Sequence, residues 1–386
     1  MEESKVPATI KVANVIEEAR LGGPQLRILS VAKALAKKIE TVVVMPEQNA
    51  DLFQNACTEN EVEYIPLPLN RITREIKPAF RYLVFFPYEI IRLFLTFKKT
   101  NIDLVHVSGG AWQIKGVIAG RLAGCKVLWH LNDTSMPNFV LLMFKFFSPL
   151  CDAIIYASER SREYYEPIAP ASKKKFVVPA PVNTELFDPN GAYGPDEAEH
   201  ILSSQKIVVG TVANVNPIKG FDTLIRAASK VAKERDDIIF VVVGPVYKNQ
   251  QRFADTLSKL KVELGASNVH FVGRRKDARA LLKRFDIYAC SSYAESSPLS
   301  VWEAMSMGKA IISTDVGDVS RYVKNGEAGE IVPVADPQAL AVAILALAKN
   351  PEKRANYGAC ARSIAIAKLD ITLCAQKHEN AYKSTI

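Results

Sequence analysis

The chain has 386 residues, of which 48% are hydrophobic, and a formal net charge of +8. At about 150 residues per domain, this length predicts two or three globular domains with packed cores. The six cysteines are widely spaced, without a C-x-x-C pair or a zinc-ligand grouping, which favours a reducing cytoplasm over a disulfide or zinc scaffold. No run of about 18 apolar residues predicts a spanning helix, and the polar start MEESKVPATI is unlike a signal peptide.

The first half of the chain begins with an apolar strand, a glycine-rich loop and a helix. Hydrophobic periodicity predicts the strand over residues 9–16 and the helix over residues 25–38. The apolar residues with helical spacing are Leu26, Leu29, Ala32, Leu35 and Ala36. Gly22 and Gly23, just before this helix, let the backbone approach a ligand, and the helix-start amides suit an anion. A tight structural turn is the alternative, and the other glycines of G-x-G-x-x-G are absent.

Strands and helices continue to alternate as far as residue 178, which predicts a doubly wound parallel sheet. The further strands are predicted over residues 41–44, 62–65, 104–107, 127–131, 153–156 and 176–178. His130 lies at the carboxyl end of one of them, where ligands bind in such sheets. A side chain there either meets a substrate or packs at the sheet edge. His106 is the weaker candidate and is expected to be structural.

Residues 71–99 carry much of the excess positive charge. Seven lysines and arginines, Arg74 among them, face only Glu75 and Glu89, and aromatic and aliphatic residues lie between them. This mixture is typical of a helix that lies on an anionic membrane surface, with a core helix carrying a basic rim as the alternative. A second apolar stretch, residues 139–147, is interrupted only by Lys145. Because no nucleic-acid motif is present, we do not expect nucleic acid as a partner.

Residues 183–204 are rich in proline, glycine and acids, which predicts an interdomain linker. The linker separates a first domain, residues 1–182, from a second set of alternating elements over residues 205–365. Its strands are predicted over residues 206–213, 238–243, 269–272, 287–290 and 310–313. Lys219 and Gly220 stand just ahead of a predicted helix, where an ammonium group and free amides could hold a phosphate. A solvated lysine is the alternative.

Two glutamates, Glu295 and Glu303, follow the strand predicted over residues 287–290. Ser300 is predicted to cap the next helix, which places Glu303 in the first helical turn, beyond the carboxyl end of a strand. A solvated acid favoured by the helix dipole is the alternative.

The spacing of the two glutamates, followed by Ala-Met-Ser-Met-Gly-Lys, and the loop Val-Ala-Asn-Val-Asn-Pro-Ile-Lys-Gly resemble the retaining family-four glycosyltransferases. The resemblance implies an α/β GT-B fold, in which two Rossmann-like doubly wound parallel-sheet domains face an interdomain cleft. It also implies that residues 366–386 pack back on the first domain.

The resemblance implies a retaining transfer of a hexosyl group from a nucleotide-diphosphate sugar to a hydroxyl acceptor, a glycan or lipid-linked glycan precursor of the cell envelope. No cofactor is expected, and the lack of an Asp-x-Asp pair fits a mechanism without a metal ion. The enzyme would be cytoplasmic or peripheral on the inner membrane face, through residues 71–99.

The resemblance also implies roles for individual residues. Glu303 would bind the nucleotide ribose, and His130 would act on the transferred sugar as a catalytic residue. Glu295 is the second implied catalytic residue. Two groups of residues would bind the donor: Glu295 with the amides around Ser297, Pro298 and Leu299 at the sugar, and Lys219 with Gly22 and Gly23 at the diphosphate.

Asn214 occupies the position of the arginine of the family's donor loop, so it is expected to bind the donor without supplying a charge. Loss of one charged donor can cost about a hundredfold in rate. Either Arg274 or Arg275 compensates, or the donor is held differently, or activity is weak. The alternatives are therefore a sugar-nucleotide epimerase of the same architecture and a catalytically weak sugar-nucleotide-binding scaffold.

Overall fold

A computed structural model describes residues 9–72, 76–202 and 206–386. The polar N-terminal start, Arg74, Glu75 and residues 203–204 of the predicted linker lie outside the described residues. The chain divides into two compact units. Unit 1 contains the described residues up to Pro181 together with Ile371–Ile386, and unit 2 contains Val182–Asp370.

Unit 1 is built on a seven-stranded parallel sheet. Its strands are β1 (Ile10–Val15), β2 (Ile39–Pro46), β3 (Glu63–Leu67), β4 (Leu104–Ser108), β5 (Lys126–Leu131), β6 (Ala153–Tyr156) and β7 (Lys174–Val177). They are ordered β3-β2-β1-β4-β5-β6-β7, so the order reverses between β1 and β4. All seven predicted strands are present. The helices are α1 (Gly23–Leu35), α2 (Asp51–Glu59), α3 (Ile76–Lys99), α4 (Lys115–Leu122), α5 (Asn138–Phe147) and α6 (Glu159–Tyr165).

Unit 2 is built on a six-stranded parallel sheet in the order β10-β9-β8-β11-β12-β13. Its strands are β8 (Ile207–Val212), β9 (Ile238–Val243), β10 (Val269–Gly273), β11 (Ile287–Cys290), β12 (Ala310–Thr314) and β13 (Gly329–Val332). Its helices are α7 (Phe221–Ala232), α8 (Gln251–Glu263), α9 (Arg279–Arg284), α10 (Leu299–Ser306), α11 (Val319–Tyr322), α12 (Pro337–Lys349) and α13 (Pro351–Ile364). The prediction of two doubly wound parallel sheets is confirmed.

The last helix of the chain, α14 (Ile371–Thr385), belongs to unit 1. It packs beside α1, and its Ala375, Ala381 and Tyr382 join the apolar cluster under β1, β4 and β5. A short segment of π-helix, Ala365–Leu369, precedes it. Unit 1 is therefore assembled from two stretches of the chain that are separated by the whole of unit 2.

The central strands of both sheets are buried on both faces, whereas the edge strands β3, β7 and β10 are partly exposed. Val12, Val105 and Ile154 in unit 1 and Val209 and Ile312 in unit 2 are nearly inaccessible to solvent. Continuous apolar runs are typical of parallel strands in this setting. In a doubly wound sheet, the loops that diverge where the strand order reverses form a crevice at the carboxyl edge. This argument points to the loops after β1 and β4 in unit 1 and after β8 and β11 in unit 2.

Helix α3 packs against the sheet with one face and exposes apolar side chains on the other. Leu93 and Phe97 are buried in the core, whereas Phe80 and Leu83 are each 69% exposed. The further exposed apolar residues are Val84, Phe85, Tyr88, Ile91 and Leu95 of α3 and Phe139, Leu142 and Phe146 of α5. We call these ten residues the apolar surface. One face of α3 thus belongs to the core and the other is exposed, and contact of the exposed face with a membrane stays a prediction.

Candidate functional site

The loops after β8 and β11 begin at the switch point of unit 2. Strands β8 and β11 are paired, and their loops run over residues 213–220 and 291–298. The amide of Tyr293 donates to the carbonyl of Ile218 at 2.7 Å, and the Ser291 hydroxyl donates to the carbonyl of Lys219 at 3.0 Å. These bonds hold the two loops together at the edge where ligands are expected.

Gly220 makes the close approach of these loops possible. Its φ is +62°, and a Cβ there would lie 2.0 Å from the carbonyl oxygen of Ser291. A side chain at residue 220 would therefore force the loops apart while also straining the backbone.

Lys219 and Glu295, both predicted from the sequence, are brought together between these loops. Lys219 Nζ lies 2.5 Å from Oε1 of Glu295, which also accepts a hydrogen bond of 2.9 Å from the hydroxyl of Ser292. Burial lowers the pKa of Lys219, but the Glu295 charge more than offsets this effect, so the pKa is raised above its usual value. The ammonium group is therefore charged at neutral pH and is held directly before α7.

The Glu303 carboxyl group has no partner within the protein. The residue is only partly exposed, and burial raises the pKa of its carboxyl to about 7. Among the described residues, none gives this carboxyl a hydrogen bond or an ion pair. A carboxyl group with a shifted pKa and no protein partner, beside the loops at the ligand edge, is a candidate ligand-binding residue.

The predicted cap of α10 is wrong. The helix begins at Leu299, Pro298 is its N-cap, and no side chain caps it. Proline suits a helix start because its fixed φ and missing N–H cost nothing there. Glu303 is consequently the fifth helical residue, in the second turn rather than the first. Just before the helix, the Ser297 hydroxyl accepts a hydrogen bond of 3.1 Å from the indole of Trp302, which holds the start of α10 in place.

Asn214 lies in the loop after β8 and is partly exposed. Of the two arginines considered as substitutes for the missing charge, Arg275 is already engaged, since its Nε lies 2.9 Å from Oδ1 of Asp196. Arg274 is exposed. To replace the missing charge, Arg275 would first have to break its ion pair with Asp196. Compensation by either arginine therefore stays a prediction.

In unit 1, Gly22 and Gly23 lie where the loop after β1 enters α1. Gly22 is the N-cap of α1, with a φ of −155°, which any residue adopts. A Cβ at Gly22 would approach no atom closer than 3.5 Å, that of the Gln25 side-chain oxygen. A Cβ here would make only ordinary contacts, so neither conformation nor packing requires glycine at residue 22. Binding of the donor diphosphate here stays a prediction.

His130 lies on β5 and is completely buried. Its ring is stacked on that of His106, with the centroids 5.3 Å apart, and His106 Nε2 lies 3.1 Å from His130 Nδ1. His378 of α14 lies against both rings. Burial, followed by the charge of Arg27, lowers the pKa of His130 and of His106 well below the usual value. His130 is therefore neutral, and its predicted contact with the sugar stays a prediction.

Arg27 was not found from the sequence. It is buried on α1, and its Nη1 lies 2.8 Å from Nδ1 and 2.5 Å from Nε2 of His130. The same nitrogen donates to Asn132 Oδ1 at 2.9 Å, and Nη2 donates to the Ser108 hydroxyl at 3.1 Å. Both ring nitrogens of His130 are thus engaged inside unit 1, so a substrate could reach this ring only by displacing one of these contacts.

A buried charge network ties α3 to the ligand edge of the unit 1 sheet. Lys115 is fully buried, with Nζ 2.9 Å from Glu17, which follows β1, and 2.5 Å from Glu89 of α3. The ammonium group also lies 4.1 Å from the centroid of the Tyr82 ring. Because Glu89 is buried in this network, it does not offset the exposed positive charges of α3. No pattern in the sequence indicated that Lys115, Glu17 and Glu89 are buried together.

The three buried histidines make the stability of unit 1 depend on pH. Burial lowers the pKa of His378 to about 3. Below about pH 6.5, a histidine whose pKa is lowered in the folded state takes up a proton when the chain unfolds. The free energy of unfolding is therefore highest above about pH 6.5 and decreases as the pH falls. Between about pH 7.5 and about pH 5.5, we expect His378→Gln to lose about 1.4 kcal/mol less unfolding free energy than the parent. Hydrogen exchange of the β4 and β5 amides measures this difference.

The matched control is His200→Gln, because His200 is exposed in unit 2. It should follow the parent at both pH values. If His378→Gln also follows the parent, the neutral state assigned to the histidine cluster is wrong.

Within residues 9–72, 76–202 and 206–386, no three histidine, cysteine, aspartate or glutamate side chains are grouped so as to hold a metal ion. Over the same ranges, no helix has the length and apolar character needed to cross a bilayer.

Two family models match the chain. The model for group 1 glycosyl transferases matches residues 195–364, and the model for glycosyltransferase family 4 matches residues 21–186. The first match covers the loops that hold Lys219, Glu295 and Glu303, and the second covers Gly22, Gly23 and the end of β5. The two matches therefore include every site residue predicted from the sequence.

Several characterised proteins are similar in sequence. The lipopolysaccharide core biosynthesis mannosyltransferase LpcC of Rhizobium leguminosarum bv. viciae is 28% identical over 212 residues, which are 54% of this chain and 57% of the relative. The phosphatidylinositol N-acetylglucosaminyltransferase GPI3 subunit of Saccharomyces cerevisiae is 24% identical over 317 residues, 79% of this chain and 68% of the relative. The chain thus spans little more than half the length of LpcC and about two thirds of that of GPI3.

Solved structures of glycosyltransferases share the fold. HepE of Anabaena, in complex with UDP and glucose, has a TM-score of 0.83 and 19% identity and covers 97% of this chain and 100% of its own. A glycosyltransferase from Rickettsia africae has a TM-score of 0.80 and 19% identity, with 98% and 99% covered. With both halves of the sequence matched by family models and the two Rossmann-like units matched by these structures, the chain belongs to the glycosyltransferases of the family-four type and has the GT-B fold.

Proposed function

We propose that this chain transfers a hexosyl group from a nucleotide-diphosphate sugar to a hydroxyl acceptor, with retention of configuration. The main support is the partly exposed carboxyl of Glu303 beside the switch point of unit 2, which has no hydrogen-bond or ion-pair partner among the described residues. A carboxylate is a strong acceptor for two neighbouring hydroxyls, and the ribose of a nucleotide offers such a pair. The Lys219 ammonium group, held by Glu295 at the same sheet edge, suits the diphosphate.

The roles in unit 2 follow from the charges of the loop residues. Lys219 would offset the negative charge that grows on the departing nucleoside diphosphate, because a fixed cation stabilises charge that develops in the transition state. The diphosphate would then compete with Glu295 for Lys219. Glu295, once displaced, and the amides at Ser297, Pro298 and Leu299 would bind the donor sugar. Asn214 would donate a neutral hydrogen bond to the donor.

In unit 1, we propose that the amides at Gly22 and Gly23 bind an anionic or polar group of a substrate. Amides at a helix start favour such a group, and Gly22 and Gly23 stand at the start of α1. His130 would orient the transferred sugar in its neutral form. A mechanism without a metal ion is proposed, and activity that persists in a chelator is the expected result.

The relatives suggest substrate classes. LpcC acts in lipopolysaccharide core biosynthesis, and GPI3 is a subunit of a phosphatidylinositol N-acetylglucosaminyltransferase. HepE has been solved with UDP-glucose. We therefore propose a UDP-sugar or a related nucleotide sugar as the donor and a lipid-linked or cell-envelope glycan precursor as the acceptor.

The test is to incubate the purified protein with a panel of nucleotide sugars, with and without a glycolipid fraction, and to follow nucleoside diphosphate release and the identity of the sugar. Release that depends on acceptor supports transfer. An altered sugar without release would instead show epimerisation, and binding without either change would show a scaffold, the alternative that Asn214 favours.

The acceptor class and the exposed side of α3 together support a peripheral membrane location. We propose that the apolar surface lies on an anionic membrane at the inner face. Lys77, Arg81 and Arg92 of α3 are exposed beside it, and each basic residue near such a surface contributes about 1 kcal/mol. The buried Lys115–Glu89 pair holds α3 in place, so that the exposed face is presented by a fixed helix.

Binding to vesicles tests this membrane proposal. We expect Leu83→Ser combined with Ile91→Ser to reduce binding to phosphatidylcholine vesicles containing about 30% phosphatidylglycerol by tenfold or more, and salt to weaken binding of the parent. Sedimentation of the vesicles measures both effects. The matched control is Val262→Ser on α8 of unit 2, whose side chain is 81% exposed and should not matter. Binding that is absent in the parent, or insensitive to salt, would contradict the proposal.

A further inference from the structure

The end of β5 in unit 1 presents one hydrogen-bond donor that the protein does not use. Asn132 follows the last residue of β5, and its Nδ2 is a buried atom without a hydrogen-bond partner among the described residues. Its Oδ1 accepts from Arg27. Since a guanidinium group donates and cannot accept, the amide oxygen must face Arg27 and the amide nitrogen must point the other way.

The burial of the Arg27 guanidinium group costs free energy that no ion pair with a described residue offsets. The residue is 3% exposed, and no described carboxylate forms an ion pair with it. Its neighbours are neutral donors and acceptors from three elements, β4, β5 and α14: the hydroxyl of Ser108, the rings of His106, His130 and His378, and the Tyr382 hydroxyl. Burial lowers the pKa of Arg27 to about 10. A buried cation without a counter-ion costs several kcal/mol, so packing alone does not explain it.

The network around Arg27 fixes its direction. Nη2 donates to the Ser108 hydroxyl, and that hydroxyl donates to Asn14 Oδ1 at 2.7 Å. The guanidinium plane is thus tied to β1, β4 and β5 at once, and the orientation of the Asn132 amide follows from it. A lysine could supply the charge but not the rigid, planar set of donors.

We propose that Asn132 Nδ2 donates a hydrogen bond to a carbohydrate oxygen of a substrate, and that Arg27 is the positioning residue that orients this amide. The inference rests on the proposed function and names a residue that the sequence did not. His130, two residues earlier on the same strand face, supports Arg27 from the inner side. An amide donor recognises a hydroxyl or ring oxygen, whether the sugar is that of the donor or that of the acceptor.

Asn132→Asp is the sharpest test. The carboxylate keeps the shape and the oxygen that faces Arg27 but lacks the donor, and it gives Arg27 a counter-ion. We expect a thermal midpoint equal to or above that of the parent. We also expect UDP to bind as tightly as to the parent, because the residues proposed for the ribose and the diphosphate, Glu303 and Lys219, are unchanged. The affinity that glucose adds in UDP-glucose over UDP, or the KM for the acceptor found in the panel, should worsen by about tenfold to a hundredfold.

Arg27→Gln gives the second arm. It removes the orienting guanidinium and leaves Asn132 in place, so it should cause the same loss of sugar recognition with UDP affinity unchanged, and Arg27→Lys should not restore it. If Asn132→Asp leaves both the glucose increment and the acceptor KM at parental values, the inference is wrong. If Asn132→Asp lowers the thermal midpoint by many degrees, Arg27 does not lack a counter-ion and the inference also fails. A parent that binds no nucleotide sugar would remove the proposed function and this inference together.

Discussion

Glu303→Gln is expected to weaken nucleotide binding about tenfold to a hundredfold above pH 7, because a hydrogen bond to a carboxylate is worth about 1.5–3 kcal/mol. The parent should also show a pH dependence that the variant lacks. Since the carboxyl of Glu303 has a pKa of about 7 and only its ionised form accepts both ribose hydroxyls, parental affinity should fall about tenfold per pH unit below that value. Calorimetric titration with UDP at several pH values measures both effects.

The stability of the same variant should change in the opposite direction. The pKa of Glu303 is raised from 4.5 to about 7, so the folded parent holds a proton that the unfolded chain has released. The parent is therefore stabilised below the usual pKa, and this stability is lost as the pH rises through 7. Above pH 7, Glu303→Gln should raise the free energy of unfolding by about 3 kcal/mol, which urea unfolding measures.

The control is Glu263→Gln, since Glu263 is an exposed acid at the end of α8. It should change neither nucleotide affinity nor stability. If Glu303→Gln destabilises the protein and leaves UDP affinity at the parental value, then Glu303 is structural and does not bind the nucleotide.

Gly220→Ala should have the largest effect on the loops of unit 2. The new Cβ would lie 2.0 Å from the carbonyl oxygen of Ser291, and the φ of +62° is unfavourable for alanine. Backbone atoms cannot give way as a flexible side chain can, so the loops after β8 and β11 must separate. We expect a loss of roughly 3–5 kcal/mol of unfolding free energy and nucleotide binding reduced by a hundredfold or more, measured by urea unfolding and calorimetry.

Gly265→Ala separates the strain from the clash. Gly265 has almost the same φ, +61°, but a Cβ there would meet nothing within 4 Å. Gly265→Ala should lower the free energy of unfolding only by the backbone strain of an alanine at positive φ, about 1–2 kcal/mol. UDP binding should be unchanged. Equal effects of the two substitutions would mean that the contact between the loops does not depend on Gly220.

The apolar runs were sufficient to predict the strands. Residues 238–243 and 287–290 were predicted with the bounds that the structure has, because strands buried on both faces are continuously apolar and end sharply at turns. The ends of the strands predicted over residues 206–213 and 287–290 placed Lys219 and Glu295 in the loops that follow them. Their ion pair joins residues that lie 76 positions apart in the sequence, and no local pattern reveals it.

The buried polar residues of unit 1 were missed for a related reason. The helical spacing placed Leu26 on the inner face of α1, whereas Leu26 is exposed and Arg27 is buried beside Ile28. A signal was present, since Arg27 shares a helix face with Val31 and Leu35, at i+4 and i+8. The positive charge of Arg27 favoured an exposed position over a buried one. The three neutral histidines that surround its buried guanidinium group come from strands and a helix far apart in the chain.

The start of α10 shows how a single proline shifts a site. The serine at residue 300 matched the usual capping preference, but Pro298 already supplies a helix-start conformation. The shift moved Glu303 into the second turn, where it is partly buried and its pKa is raised. The residue was therefore predictable from its spacing, but the environment that sets its pKa was not.

The place of α14 has a consequence for biosynthesis. Its residues complete the underside of a sheet whose strands are made more than 190 residues earlier. During synthesis on the ribosome, Val12, Leu104 and Leu128 cannot complete their packing until Ala375 and Tyr382 have been made. All of unit 2 is therefore synthesised while unit 1 still lacks α14. Domains usually fold in the order of synthesis; here the later one is able to finish first, and the nascent N-terminal half is the part with the longest exposure to chaperones and proteases.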